Sequence, residues 1–227
     1  MKNPTDVVIA SAARTPVGAF NGSLGTLPAS ELGRTVISAA LDRANVAPEA
    51  VTEVIMGQIL TAGAGQNPAR QAAIGAGIPV ERTAMVINQL CGSGLRAVAL
   101  GFQSIRNGDA DMVIAGGQES MTQAPHCANL RNGQKLGSLE MIDSMLIDGL
   151  WDAFHGYHMG NTAENVAKQF NISREAQDAF AAASQQKAEA AQKAGRFVAE
   201  ITPVVVKGRK AEIRVDTDEH PRHGTTI

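Results

Sequence analysis

Aromatic residues are scarce in this sequence, where tryptophan, tyrosine and phenylalanine together make up 4% of 227 residues. Proteins that bind single-stranded nucleic acid stack the bases on aromatic side chains, so this composition argues against that class of partner. The formal net charge of −2 also provides no overall positive field that would attract a polyanion. No nucleic-acid partner is expected.

Cysteine is rare as well, with only Cys91 and Cys127. Two cysteines do not make the disulfide framework of a small secreted domain, and these two do not form a Cys-x-x-Cys pair for zinc. No metal site is therefore predicted. Arg14 and Pro16 interrupt the apolar run near the N-terminus, far too early for a signal peptide or a membrane-spanning helix. We expect a cytoplasmic protein with no membrane partner.

Short apolar runs alternate with helical periodicity over the first 120 residues. Continuous apolar runs, which are typical of strands buried on both faces, predict strands at 7–10, 54–56, 84–87 and 112–115. Between them, Ser30 is a candidate helix cap, Asn67-Pro68 is a favourable helix start, and residues 95–105 have helical spacing. Such alternation predicts βαβ units, hence an α/β fold with a parallel sheet covered on both faces.

The pattern changes near residue 120. Residues 118–160 show little periodicity, and a long irregular segment in a compact protein is usually functional or part of an interface. Further along, Thr162 and Ser173 are candidate helix caps, and residues 201–206 and 212–215 predict a hairpin. The sequence therefore indicates two regions of different character.

Cys91 is the main candidate for chemistry, within Asn-Gln-Leu-Cys-Gly-Ser-Gly-Leu at 88–95. It follows a predicted strand and precedes a predicted helix, at the sheet edge where open α/β folds bind ligands. A helix start favours a thiolate, and Gly92 and Gly94 permit a tight turn beside a substrate. A free cysteine is otherwise most often a small buried apolar residue. The residues alone leave both interpretations open.

Two further features are weaker signals. His158 lies between glycines in a predicted loop, which favours a position in a pocket over one on a helix face. The second feature is a basic cluster made of Lys207, Arg209, Lys210, Arg214, Arg222 and His223. Arginine is suited to phosphate, but nearby acidic residues favour an ordinary solvated surface for this cluster.

Several long stretches of the sequence together resemble the thiolase family. They are SAARTPVGAFNG (11–22), GQNPARQAA (65–73), NQLCGSGLRAVALG (88–101), AGGQESM (115–121), APHCANLR (124–131), DAFHGYHMGNTAENVAKQ (152–169), SREAQDAFAAASQQKAEAA (173–191) and VKGRK (206–210). The resemblance implies a thiolase-type layered α/β/α fold. It implies that 1–120 belong to the N-terminal α/β domain, and that 121–227 belong to an inserted loop domain for coenzyme A binding and oligomerisation.

The resemblance, which is greatest to the biosynthetic branch of the family, assigns a role to Cys91. It implies that acetyl-CoA acylates Cys91, and that a second, deprotonated acetyl-CoA then attacks the acyl group. The products are acetoacetyl-CoA and CoA, and the reverse reaction is thiolysis. Splitting a difficult step around a covalent intermediate is the usual logic of nucleophilic catalysis. Coenzyme A thioesters are substrates here, and no permanently bound cofactor is implied.

The resemblance also implies binding residues. His158 and Met159 match positions against the pantetheine and acyl pocket, Leu150 matches a coenzyme A contact, and Arg222 matches a residue near the nucleotide. Residues 124–131 resemble the loop through which family members form dimers and tetramers. His158 favours a four-carbon product over the alternative, a degradative 3-ketoacyl-CoA thiolase.

The chain stops at Ile227, inside what should be the loop domain. Family members continue into a second half that carries the histidine activating the nucleophile, the cysteine acting as base and further oxyanion donors. Because these groups are absent here, we expect negligible turnover from these 227 residues alone. A further alternative is a non-catalytic fragment that binds coenzyme A or another subunit, which exposed apolar surface would support.

Overall fold

The computed structural model describes residues 6–208 and 211–227. A parallel sheet forms its centre, with strands β1 (Glu53–Gly57), β2 (Thr83–Ile87) and β3 (Val113–Gly117) in the order β2-β1-β3. Both neighbours pair with β1 in parallel over its whole length. Three of the predicted strands are therefore confirmed, as is the parallel α/β architecture.

Helices cover both faces of this sheet. α1 (Ala29–Ala44) and α2 (Pro68–Gly75) lie on one face, and α3 (Ser93–Asn107) packs on β1 and β3 from the other. The core on the first face contains Ile37, Leu41, Val51, Val54, Met56, Ala69, Ala72, Ala73 and Ile78. The alternate residues of β3, such as Ala115, face α3. The result is a layered α/β/α arrangement.

The helix starts show how local chemistry sets these elements. Asn67 caps α2 as predicted, because its side chain accepts the N–H of Arg70 at 3.1 Å. The predicted cap at Ser30 is wrong. Helix α1 already begins at Ala29, and Pro28 precedes it without any side-chain cap. The extended conformation of Pro28 lets the chain enter the helix one residue before the serine.

The predicted strand at residues 7–10 is wrong. This segment pairs with no strand in the described structure, and Ile9 is 79% exposed. It borders a cavity of about 820 Å³ whose other walls come from α1, α3 and the free edge of β3. A strand requires a partner for its backbone N–H and C=O groups. Here the nearest sheet edge lies across the cavity.

Beyond the sheet, the chain becomes irregular before it returns to helices. Its elements are β4 (His126–Cys127), β5 (Ile142–Asp143), a π-helical turn (Leu146–Leu150), α4 (Met159–Gln169) and α5 (Arg174–Lys193). Ser173 caps α5 as predicted, with its side chain accepting the N–H of Ala176. The predicted cap at Thr162 is wrong, because His158 caps α4 and Thr162 lies inside that helix. No helix in the described ranges is long and apolar enough to cross a membrane.

The predicted hairpin is confirmed as β6 (Val204–Lys207) and β7 (Glu212–Val215), which pair antiparallel. Its apolar side packs on Leu24 near the N-terminus of the chain. The hairpin therefore joins the later part of the chain to the earlier part through a small second core. Arg209 and Lys210 of the predicted basic cluster lie outside the described residues.

Candidate active site

Cys91 lies where the sequence predicts it, between the end of β2 at Ile87 and the start of α3 at Ser93. It is a free cysteine and its residue is exposed. The position is at the carboxyl edge of the parallel sheet, the edge at which α/β folds bind ligands. The alternative of a cysteine buried as a core residue is therefore wrong.

The turn before α3 has a defined geometry. Leu90 adopts a left-handed conformation with a φ of 49°, which costs a residue with a side chain about 1–2 kcal/mol. Two backbone hydrogen bonds close the turn, from Gly92 to the carbonyl of Gln89 and from Ser93 to that of Leu90. The Ser93 hydroxyl adds two more bonds, donating to the Leu90 carbonyl at 2.6 Å and accepting the Gln89 N–H at 2.8 Å. This turn presents Cys91 to solvent.

Glycines allow the first turn of α3 to approach the sheet closely. A Cβ added to Gly57, the last residue of β1, would lie 2.5 Å from the Ser93 carbonyl carbon and 2.6 Å from the Gly94 nitrogen. Gly117 ends β3 in the same region, against the backbone of Gly94. A Cβ on Gly92 would meet only the Gln89 carbonyl oxygen, at 3.4 Å. Gly94 therefore packs on the sheet, whereas Gly92 leaves open space next to Cys91.

His158 and Met159 lie at the start of α4. His158 caps the helix through Nδ1, which accepts the N–H of Gly160 at 3.0 Å. A neutral imidazole that accepts at Nδ1 carries its proton on Nε2, so Nε2 is the donor offered to a ligand. Met159, the first helical residue, is exposed. Both predicted residues thus stand at one helix end.

Leu150 ends the π-helical turn and is half-buried. The next residue, Trp151, forms an antiparallel bridge with His158. The structure therefore brings Leu150 close to His158 and Met159, which follow it in sequence after a loop. These three form one candidate binding cluster.

Arg222 lies against α5, a different element from those that carry the other predicted residues. Its backbone N–H donates to Gln185 of α5 at 2.7 Å, and the residue is exposed. Within the described chain, its guanidinium group makes neither a hydrogen bond nor an ion pair. It is therefore available to an anion from solvent. Among the described residues, neither a hydrogen bond nor an ion pair joins Arg222 to Cys91.

Sequence reasoning missed Glu119, which follows β3 at the same sheet edge as Cys91. Its carboxylate accepts the N–H groups of Ile59 at 2.8 Å and Leu60 at 3.3 Å, just beyond β1. Burial raises the pKa of Glu119, and the backbone hydrogen bonds offset part of that increase. The carboxylate holds the loop after β1 in place. A lone acidic residue after Gly-Gly-Gln gave no sequence signal of this contact.

The described residues contain no group of three or more His, Cys, Asp or Glu side chains that could hold a metal ion. They also provide no hydrogen bond to the sulfur of Cys91, so no general base contacts it there. What the arrangement offers is an accessible thiol at a helix start, beside open space. That is suited to nucleophilic attack by sulfur on a carbonyl carbon.

Comparison with known proteins gives consistent matches along the chain. The family model described as thiolase, N-terminal domain, matches residues 7–227. The acetyl-CoA acetyltransferase of Shinella zoogloeoides is 65% identical over 227 residues, which are all of this chain and 57% of that protein. The cytosolic acetyl-CoA acetyltransferase of Rattus norvegicus is 58% identical over 221 residues, covering 97% of this chain and 56% of that protein.

Among solved structures, the crystal structure of the Bacillus anthracis acetyl-CoA acetyltransferase matches with a TM-score of 0.93 and 37% identity. The match covers 96% of this chain and 56% of that one. The chain thus spans little more than half the length of these relatives. The layered α/β/α arrangement is the thiolase-type fold. Residues 7–227 match the model of the N-terminal domain, and the chain belongs to the thiolase family.

Proposed function

We propose that this chain supplies the acyl-accepting part of an acetyl-CoA C-acetyltransferase. The exposed thiol of Cys91, in its glycine-bounded turn at the sheet edge, carries this proposal. Its thiolate attacks the thioester carbonyl of acetyl-CoA, a new carbon–sulfur bond forms, and CoA leaves as its thiolate. The carbanion of a second acetyl-CoA then attacks the acetyl group, which gives acetoacetyl-CoA and releases Cys91. Thiolysis is the reverse of these steps.

The chemistry assigns distinct tasks to this chain and to the remainder of a full-length family member. The backbone N–H of Cys91 is proposed to help bind the negative charge on the carbonyl oxygen in the tetrahedral intermediate. The base that receives the thiol proton and the base that deprotonates the second acetyl-CoA are proposed to lie in the C-terminal half. These residues alone should therefore turn over negligibly, since one general base contributes about 10²–10⁴-fold.

Residues 121–227 are proposed to form the loop domain that binds coenzyme A, with 1–120 as the N-terminal domain. Leu150, His158 and Met159 would contact the pantetheine and acyl part, with the His158 Nε2 proton as a donor. The unpaired guanidinium of Arg222 would lie near the nucleotide phosphates. Residues 124–131 would mediate assembly into dimers and tetramers. We infer a cytoplasmic enzyme without a permanently bound cofactor, a metal, or a nucleic-acid or membrane partner.

Acetylation of Cys91 by acetyl-CoA tests the proposal directly. The chain is exposed briefly to acetyl-CoA over a range of pH that extends above the ordinary thiol pKa of about 8.5, where a thiolate forms without a base. Peptide mass spectrometry should find an acetyl group on Cys91. Cys91→Ala should remove the adduct, and the matched variant Cys127→Ala should keep it. Equal labelling of both exposed cysteines, or none on Cys91, would contradict the proposal.

Two other functions are to be separated from this one by experiment. A degradative 3-ketoacyl-CoA thiolase shares the family and the nucleophile, and turnover by the full-length enzyme as a function of acyl chain length separates it from the biosynthetic reaction. A non-catalytic binding fragment is favoured by the exposed apolar side chains of Leu95 and Phe102 on α3. Coenzyme A binding without any acetylation of Cys91 would identify that second case.

A further inference from the structure

The turn that carries Cys91 is fixed from its buried side. Ser93 is 4% exposed and begins α3. Its single hydroxyl both donates to the Leu90 carbonyl and accepts the Gln89 N–H. These two groups lie on the chain immediately before Cys91. One buried side chain therefore joins the backbone before the cysteine to the helix after it.

The sheet holds Ser93 in turn. Gly57 ends the buried central strand β1, and a Cβ there would lie within 2.6 Å of three atoms of Ser93 and Gly94. Two of these atoms are backbone atoms, which cannot move aside as the end of a flexible side chain can. Because β1 is paired on both edges, the element that must move is the first turn of α3. Cys91 lies only two residues before that turn.

We propose that Ser93 and Gly57 are positioning residues for Cys91. Gly57 lets the first turn of α3 rest on the strand end, and the Ser93 hydroxyl holds Leu90 in its left-handed conformation. Together they fix the direction in which the Cys91 sulfur leaves the turn. The inference rests on the proposed function of Cys91, because position matters only if the sulfur attacks a bound substrate.

The two kinds of reaction at a thiol respond differently to position. Alkylation by a small reagent such as iodoacetamide requires only an accessible thiolate. Transfer of an acetyl group from bound acetyl-CoA requires the sulfur to be held within reach of one carbonyl carbon and at the correct angle to it. A misplacement of about 1 Å can lower the rate up to about 10²-fold. The ratio of the acetylation rate to the alkylation rate therefore depends on the position of the Cys91 sulfur. A change in the exposure of the thiol alters both rates together.

The experiment measures both rates at Cys91 in this chain, over a range of pH, with Cys127 as the internal reference for alkylation. Ser93→Ala removes the hydroxyl, and Gly57→Ala introduces the Cβ. Gly116→Ala in β3 is the matched control, since its Cβ would meet only the Met56 sulfur, at 4.0 Å. In the first two variants we expect acetylation of Cys91 to fall roughly tenfold or more relative to its alkylation. Gly116→Ala should keep the wild-type ratio.

Circular dichroism shows which variants remain folded. If Gly57→Ala does not fold, Ser93→Ala decides the question, because it only removes an oxygen atom. A folded Ser93→Ala chain with the wild-type ratio would overturn the inference. If acetyl-CoA does not label wild-type Cys91, the proposed function fails. Hydrogen exchange at the Gln89 amide, whose N–H the Ser93 hydroxyl accepts, then tests the turn alone: it should be faster in Ser93→Ala than in wild type, and equal exchange would overturn the inference.

Discussion

Arg14 is a single residue that joins the N-terminal segment to two distant parts of the chain. Its guanidinium donates to both oxygens of Asp218, at 2.7 and 3.0 Å, and to Glu200 at 2.6 Å. It also lies over the ring of Phe197, 5.2 Å from the centroid. The Asp218 side chain is only 8% exposed. This pair therefore differs from an ordinary surface ion pair, since little solvent screens it.

Replacing Arg14 should measure how much this ion pair contributes to the free energy of unfolding. Arg14→Gln leaves the largely buried Asp218 carboxylate without its cation, and we expect a loss of about 2 kcal/mol in the free energy of unfolding. Arg174→Gln is the matched control, because it breaks an ion pair with Asp178 on the exposed surface of α5, where solvent screening leaves such a pair little effect on stability. Urea denaturation at neutral pH gives both values. Equal losses would show that burial adds nothing.

The contribution of the Arg14–Asp218 pair to stability should depend on pH in a defined direction. Burial alone would raise the pKa of Asp218, but the hydrogen bonds from Arg14 and the Val17 N–H outweigh it and leave the pKa below its usual range. A carboxyl with a lowered pKa stabilises the fold above its unfolded value of about 4 and loses that contribution as the pH falls through the folded value. The difference in the free energy of unfolding between wild type and Arg14→Gln should therefore become smaller below about pH 4. A difference that stays constant through this range would contradict the assignment.

The residue scale also shows what the sequence reveals about the site. Cys91 and its two glycines are neighbours in sequence, so a strand-to-helix junction there could be predicted from local pattern. The contact of Gly57 with Ser93 crosses 36 positions, and in sequence Gly57 is only a glycine after a strand. A close contact between two backbone segments that are distant in sequence leaves no pattern in the residues around either one. The position of Cys91 at this junction was therefore predictable, whereas the residues that hold the turn in place were not.

At the scale of elements, α3 was predicted correctly but its buried face was not. The helical spacing rests on large apolar residues such as Leu95, Val98 and Phe102, and these are exposed. The face on the sheet carries the small residues Ser93, Ala97 and Gly101 instead. A Cβ on Gly101 would lie 3.1 Å from the Val113 side chain, so large residues do not fit there. Apolar periodicity identifies a helix, but here it identifies the face left open.

α5 organises the segment that carries Arg222, a role that no pattern predicted. Gln185, Glu189 and Gln192 follow one another along one face of α5, and each binds the segment 218–225. The amide oxygen of Gln192 accepts a hydrogen bond from Nε2 of His223 at 2.7 Å, and its amide N–H donates to the Asp218 carbonyl. Mostly main-chain groups are bound, so the guanidinium of Arg222 has no partner within residues 6–208 and 211–227. The helix thus positions the proposed phosphate contact.

Removing one of these side chains should loosen the segment locally. Gln185→Ala takes away the acceptor of the Arg222 N–H, and a hydrogen bond worth about 1 kcal/mol corresponds to roughly fivefold faster amide exchange. Hydrogen exchange followed by mass spectrometry should show this in peptides covering 218–225 and leave the hairpin strands unchanged. Gln177→Ala is the control, since that side chain binds the Ile172 carbonyl at the other end of α5. Faster exchange in both variants would contradict a specific role for Gln185.

At the scale of the whole molecule, the layers were predicted correctly and one strand incorrectly. Residues 7–10 have the apolar pattern of a buried strand. Such a pattern shows that the residues are apolar, but it does not show that a neighbouring strand is available to pair with them. In the structure, β3 and this segment face each other across the cavity of about 820 Å³. Pairing between distant segments is a property of the assembled sheet, and for this reason local pattern could not supply it.

The apolar walls of this cavity lead to a prediction about binding. A space of about 820 Å³ lies within the range of about 300–1,000 Å³ that holds small organic ligands, so the chain should bind an apolar dye such as anilinonaphthalene sulfonate. Phe102 lines the cavity and is half-exposed, and Phe102→Ser should weaken the dye's fluorescence enhancement several-fold, roughly as expected for loss of a large apolar contact. Phe154→Ser is the matched control, because Phe154 is 95% exposed and is not among the residues lining this cavity. If both variants bind the dye equally, the apolar surface that attracts it is not the cavity beside β3.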